Sequence, residues 1–244
     1  MEKIIHYCWF GGKKKPASVK KCIKTWKKKL PDFKLMEWNE DNFDVNSTEF
    51  SKQAFAEKKW AFVSDVARIY AIYEYGGIYL DTDVEVLDKI DFVLDNDFWM
   101  GKESEDYVGT AVIGVKEKHN KHIKKILDIY KNTKFDSSDI YAVTGPKLFT
   151  DYFIELGLKK GDGNEVISNG EINIYDRAYF YPKSYDGQHD KYNKNTCMVH
   201  NFKASWTSRG EKVCNFLIKH HLRFMIKPIF KVHDFIKVHF RKGA

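Results

Sequence analysis

Short apolar blocks separated by Gly, Pro and charged residues organise this chain, and the period of each block predicts an element. "KIIHYCWF" near the start reads as a strand ended by Gly11-Gly12. A helix from Pro16 to Lys29 follows, with Pro at its start and Ile23 and Trp26 on one face. Pro31 ends it, "FKLMEW" reads as a second strand, and Asn46-Ser47 caps the next helix, "STEFSKQAFAEKK". This β-α-β-α opening predicts an α/β domain with a mixed, mostly parallel central sheet covered by helices. A long helix spans Trp60 to Tyr75 and stops at Gly76-Gly77, where a left-handed cap is expected. Strands at "GGIYLDTDVEVL", "DFWMGK" and "GTAVIGV" come next, then helices at "NKHIKKILDIYKN" and "GPKLFTDYFIELG". The Tyr- and Asn-rich segment from Ile172 to Asn195 reads as looser, and no internal repeat is visible.

The block Gly76–Leu87 breaks its own pattern. Ile78-Tyr79-Leu80 is a core strand by composition, yet it runs into Asp81 and Asp83 before Val84, Val86 and Leu87 resume. Along a continuing strand alternate side chains share a face, so the two carboxylates would project together. Carboxylates that close repel unless a cation or proton lies between them. In an arbitrary chain such a pair is a solvated surface turn. At the end of a core strand of an α/β sheet, where ligands bind, it suits a hard divalent cation such as Mg²⁺ or Mn²⁺.

The preceding helix carries a second anomaly. Val63, Val66, Ala67, Tyr70 and Tyr73 form one apolar stripe, and Ile69 and Ile72 lie on the opposite side, so both faces are expected to be covered. Asp65 and Arg68 fall on that second side. An i,i+3 ion pair stabilises a helix by only about 0.2–0.5 kcal/mol. Charges on a doubly covered helix therefore point to a polar ligand.

Composition narrows the class. The chain has 244 residues, 43% of them hydrophobic and 31% charged, enough for a folded domain with a sizeable core. Cys8, Cys22, Cys197 and Cys214 form no CxxC pair, which argues against a zinc site or disulfide framework and for a reducing cytoplasm. No secretory signal and no membrane-spanning run is seen. The net charge of +7 first suggests nucleic acid, but residues 219–244 carry seven Lys/Arg against Asp234 alone. That segment holds +6, which leaves the first 218 residues at +1 and without the basic footprint duplex binding needs. No nucleic-acid partner is expected.

Three strings, "IIHYCWFGG", "SDVARIYAIYEYGGIYLDTDVEV" and "HNFKASW", resemble the DXD sugar-containing transferases. That family includes fungal α-mannosyltransferases and bacterial capsule and polysaccharide glycosyltransferases, with the glucosylating clostridial toxins more distant. The resemblance spans about Ile4 to Trp206. It implies a GT-A (Rossmann-like) fold, a nucleotide-sugar donor, a divalent metal (Mn²⁺ or Mg²⁺) and hexose transfer with retention. It further implies that Trp9 stacks on the nucleotide base, that Asp65 and Arg68 hold donor-sugar hydroxyls, and that Tyr79 and Asp81 contact ribose and sugar. Asp83 binds the metal in this reading, with help from Asp81 and His200, while Ser205 and Trp206 bind the β-phosphate from a mobile loop. Taken singly, Trp9 could equally fill the core and His200 could be a satisfied buried histidine. Relatives often carry Asn in the strand after the acidic pair, where this chain has Gly109-Thr110, so contacts on that side of the sugar are left open. "TGP", Thr144 to Pro146, opens a helix that could shape the acceptor side.

The expected organisation is a catalytic domain over residues 1–215 and a basic amphipathic helical tail over 216–244. In the tail Leu222, Met225, Ile226, Ile229, Phe230, His233, Ile236 and Phe240 recur at helical steps flanked by Lys and Arg. A cytoplasmic enzyme is expected, with residues 219–242 offering peripheral contact to the inner face of the membrane. The donor expected is a UDP-hexose, and the acceptor a saccharide or lipid-linked saccharide of a bacterial surface polysaccharide. Two other readings stand beside it: a nucleotide-sugar-binding protein without transfer, and a basic metal-dependent nucleic-acid-binding or phosphodiesterase protein.

Overall fold

A computed structural model of the protein describes residues 1–184 and 189–203. Residues 185–188 and 204–244, with Ser205, Trp206 and the whole tail, lie outside the described residues.

The chain opens with β1 (Ile4–Cys8), α1 (Ala17–Lys29), β2 (Lys34–Trp38), α2 (Glu49–Ala56) and α3 (Trp60–Tyr75). These agree with the hydrophobic period, including both ends of α3. The α2 cap differs by position: Thr48, not Asn46-Ser47, accepts the Ser51 N–H at 3.0 Å. Thr48 sits one residue before the first helical turn and reaches N3, the geometry a capping hydroxyl needs. Then follow β3 (Gly77–Leu80), β4 (Val84–Val86), β5 (Phe98–Lys102), β6 (Val108–Val115), α4 (Lys121–Asn132) and α5 (Gly145–Glu155). β7 (Glu165–Ile167) comes next, and the segment expected to be loose, Ile172 to Asn195, holds β8 (Ile172–Tyr175) and α6 (Arg177–Phe180) before β9 (Met198–His200) follows it.

Seven strands form one sheet in the order β2-β1-β3-β6-β5-β8-β7. β1 pairs in parallel with β2 and β3, and β5 with β8, while β6 and β7 run against their neighbours. The sheet is mixed and mostly parallel, as expected. One apolar core, with Phe50, Val63, Ile69 and Ile72, fills the side covered by α2–α5. The other, with Trp26, Ile78, Leu80, Trp99 and Tyr181, lies under α1, β4 and α6. β3 is shielded on both faces, which is why its sequence is continuously apolar rather than alternating.

Two glycines make the α3–β3 connection. Gly76 (φ 66°) and Gly77 (φ 88°) are both in positive φ, and a Cβ on Gly77 would meet the Ile4 carbonyl at 2.7 Å. Gly76 has ψ −160°, so the chain leaves the helix through the mirror-extended region and not through a left-handed cap. It thereby drops directly into the strand beside β1.

Candidate active site

β3 ends at Leu80, and the acidic pair does not continue it. The Asp81 N–H donates to the Ala111 carbonyl at 2.8 Å, the last rung of the ladder to β6. The Val84 N–H then bonds the Asp81 carbonyl at 2.9 Å, closing a turn with Thr82 and Asp83 at its centre. β4 beyond the turn belongs to a second, two-stranded sheet with β9. The strand breaks because the chain changes sheets there. α1 fixes the new direction: Trp26 Nε1 donates to the Val84 carbonyl at 2.8 Å, and the Thr25 hydroxyl accepts the Val86 N–H at 2.9 Å.

This turn, and not strand alternation, brings the acids together. Pairing Val84 with His200 places the histidine beside them, and ligand atoms of Asp81, Asp83 and His200 all lie within 4.8 Å of one another. His200 Nε2 is 3.3 Å from Asp83 Oδ1, and the Lys203 N–H donates to Asp83 Oδ2 at 2.9 Å. Burial opposes ionisation of Asp83, but His200 and the Lys203 amide outweigh it and take its pKa down to about 2. Burial likewise disfavours a charged His200, yet the carboxylates of Asp83, Asp81 and Glu103 raise its pKa above the ordinary value. His200 Nδ1 is buried with no hydrogen-bond partner among the described residues. Two carboxylates and an imidazole with an unused ring nitrogen suit a divalent cation.

Behind the turn stands a buried charge cluster. The Arg68 guanidinium lies 3.0 Å from Asp65 Oδ1 and 3.4 Å from Asp81 Oδ1. It donates to the Thr110 carbonyl at 2.7 Å and to the Thr110 hydroxyl at 3.2 Å, and stacks 4.7 Å over the Tyr79 ring. The Tyr79 hydroxyl donates to Asp81 Oδ1 at 2.7 Å. One cation serves two acids, so burial, reinforced by Asp81, lifts the pKa of Asp65 above the usual carboxylate range despite Arg68. The β5–β6 register shifts between Met100 and Gly101, and Thr110 lies in the stretch of β6 left without a partner on β5, where its hydroxyl accepts from Arg68. Irregularities of this kind re-aim side chains at sites. Gly145, at the start of α5, packs so closely that a Cβ there would lie 2.9 Å from the Thr110 hydroxyl and 3.2 Å from Asp65 Oδ1. The "TGP" segment thus borders the site.

Asp65, Arg68, Tyr79, Asp81, Asp83 and His200 therefore converge at the carboxyl end of β3. Trp9 follows β1 at the same edge, half-buried, with its Nε1 donating to the Lys13 carbonyl at 2.5 Å and not to the acidic cluster. Ser205 and Trp206 fall outside the described residues. The sequence reading missed Glu103 and Tyr181. Glu103 lies within electrostatic reach of His200, Asp81 and Arg68, and burial lifts its pKa to about 7, with Asp81 adding to the rise. Tyr181 packs edge-on against His200 with ring centres 5.7 Å apart. Neither had a signal: Glu103 stands among other acids in "KESED", and Tyr181 in the segment read as loose.

Comparison with known proteins gives this arrangement its class: the family match and the relatives all indicate a glycosyltransferase. Residues 16–100 match the family described as the glycosyltransferase sugar-binding region containing DXD motif, from the turn before α1 through β5. An uncharacterized glycosyltransferase of Acanthamoeba polyphaga mimivirus is 27% identical over 91% of this chain and 90% of its own length. Inositol phosphoceramide mannosyltransferase 3 of Schizosaccharomyces pombe is 25% identical over 59% of this chain and 42% of its own. The solved PaToxG glycosyltransferase shares the fold, with a TM-score of 0.52 and 21% identity over 63% of this chain and 68% of that one.

Proposed function

We propose that the protein transfers a hexose from a nucleotide sugar, a UDP-hexose, to a saccharide or lipid-linked saccharide acceptor with retention at the anomeric carbon. The setting proposed is bacterial surface polysaccharide synthesis. The observation that carries this reading is the Asp81–Asp83–His200 group at a strand end, set against the buried Asp65–Arg68 pair. In this reading Asp83, Asp81 and His200 hold Mn²⁺ or Mg²⁺, which when bound offsets the charge of the departing diphosphate.

The chain's own groups do the rest. Asp65 and Arg68 bind hydroxyls of the donor sugar, and Tyr79 holds Asp81 in place through its hydroxyl. Trp9 stacks on the base, and Ser205 and Trp206 donate hydrogen bonds to the leaving group, which are strongest where water is excluded. The bond from the anomeric carbon to the diphosphate oxygen breaks. The acceptor oxygen bonds that carbon on the same face, and its proton leaves with the nucleoside diphosphate. A lipid-linked acceptor is supported by the basic tail and by a relative named for mannosyl transfer to inositol phosphoceramide. No helix among the described residues is long and apolar enough to cross a membrane, so the lipid contact proposed is peripheral.

The test is a screen of UDP-glucose, UDP-galactose, UDP-N-acetylglucosamine and GDP-mannose for hydrolysis with and without Mn²⁺. Metal-dependent release of a nucleoside diphosphate from one of them is expected. Release from none would remove the proposed donor class.

A further inference from the structure

Glu103 belongs to none of the groups placed so far. It follows β5, and its N–H closes the β5–β6 hairpin on the Tyr107 carbonyl at 2.9 Å. Two residues earlier, Gly101 pairs with Gly109; a Cβ on Gly109 would collide with the Tyr181 ring at 2.3 Å, and one on Gly101 would collide with Phe180 at 2.7 Å and press on Tyr181 at 3.1 Å. Residues two apart on a strand share a face, so Glu103 stands on the Tyr181 side of the sheet, where Tyr181 meets His200. Arg68 reaches Asp81, at the end of β3, from α3, whose apolar residues pack in the core on the other side of the sheet. Among the described residues no side chain hydrogen-bonds or ion-pairs with the Glu103 carboxylate, although the charges of His200, Asp81 and Arg68 act on it.

The neighbouring polar groups are already engaged or missing. The Thr110 hydroxyl is taken by Arg68, and Gly109 and Gly145 offer no side chain. A carboxyl at this point keeps an acceptor oxygen in either protonation state and repels a diphosphate when ionised, so its natural partner is a neutral donor. We infer that Glu103 is a further substrate-contacting residue of this site, whose carboxylate accepts a hydrogen bond from a saccharide hydroxyl across from Arg68. This rests on the glycosyl-transfer reading above. The hydroxyl can come from the hexose being transferred or from the acceptor, and the two sources separate experimentally.

Wild type, Glu103→Gln and Glu103→Ala would be compared with the nucleotide sugar that wild type consumes in the four-donor screen. Three quantities are needed: hydrolysis without acceptor, transfer to a panel of methyl glycosides, and calorimetric affinity for Mn²⁺ and the free nucleoside diphosphate. Losing a hydrogen bond to a charged group predicts a fall of about 10- to 100-fold in kcat/KM for Glu103→Ala, and a smaller one for Glu103→Gln. Affinity for Mn²⁺ and diphosphate should stay at the wild-type level. Hydrolysis falling together with transfer assigns the hydroxyl to the donor hexose, and transfer falling alone assigns it to the acceptor. Wild-type kcat/KM in both variants and both assays overturns the inference while leaving the glycosyl-transfer reading intact. So does a loss of Mn²⁺ affinity in step with activity, which would make Glu103 a metal ligand. Should wild type itself consume none of the donors, it is the glycosyl-transfer reading that fails, and this assignment with it.

Discussion

Arg68 on α3 lies 3.4 Å from Asp81 at the end of β3, and this contact ties the long helix to the acidic turn. The same guanidinium serves Asp65 and Thr110, so a single residue fixes the back wall of the site. Replacing it by Ala leaves buried carboxylates without their cation, which costs about 3–5 kcal/mol where a buried pair is broken. Urea denaturation of Arg68→Ala should show a loss of that order. Asp65→Asn should destabilise less, because Asp65 already sits above the usual carboxylate range and its amide analogue carries no charge. In calorimetry Asp65→Asn should lower affinity for the intact donor more than for the nucleoside diphosphate. Equal losses for the two ligands would make the pair purely structural.

Gly145 is predicted to tolerate no side chain without cost to the reaction. A methyl group there would press on the Thr110 hydroxyl and on Asp65, the two groups that orient Arg68. Overpacking of this kind costs about 1–3 kcal/mol. Gly145→Ala should fold, melt a few degrees lower and lose most of its turnover. Wild-type turnover in this variant would show that the α5 start does not press on the site.

His6 predicts a pH window in stability. It is fully buried; Nδ1 accepts from Trp38 Nε1 at 3.1 Å, and Nε2 meets the Gly76 carbonyl at 2.9 Å. The neutral ring with its proton on Nε2 satisfies both bonds, and burial lowers its pKa from 6.5 to about 4. Below pH 6.5 the unfolded chain takes up this proton before the folded one does. Stability from this group is therefore complete above pH 6.5, declines as pH falls, and has dropped by about 3 kcal/mol near the folded value. Chemical denaturation of wild type and His6→Gln between pH 4 and 7 checks this. The difference in stability between the two should change with pH in that window and stay flat above it.

The elements that a local period controls were legible from residues alone. α3 repeats its apolar stripe for sixteen residues and then meets two glycines, so both its ends are marked. The acidic turn was legible as a break, but its geometry was not, because the switch of sheet depends on a partner strand 114 residues further on, at Val199 opposite Glu85. β8 was missed for a related reason. "INIY" alternates too briefly to stand out, and pairing with β5 and β7 makes it a strand. Thr48 outcompeted Asn46-Ser47 as a cap because only it is in register with Ser51 N. Of the site, the residues within the helix-turn motif could be named in advance. Glu103 and Tyr181 could not, since only the β5–β6 register shift and the fold of the 172–200 segment carry them to the same edge.

The basic tail, outside the described residues, carries a prediction from its sequence. Seven Lys/Arg flank an apolar stripe between residues 219 and 244. Such a segment is attracted to anionic lipid and held by apolar burial. The intact protein should float with phosphatidylserine-containing vesicles, less at high salt, and a chain ending at Asn215 should stay behind. An intact protein that ignores these vesicles would assign the tail to a protein contact.

In the proposed reaction Asp81 and Asp83 form a metal site at which a nucleotide sugar is cleaved. The most direct test is nucleoside diphosphate release from the four-donor panel, with added Mn²⁺ and with EDTA, for wild type and Asp83→Ala. Wild type should release product from one donor only when metal is present. The variant should be nearly inactive while keeping wild-type circular dichroism. Full turnover in EDTA, or by Asp83→Ala, would contradict the account.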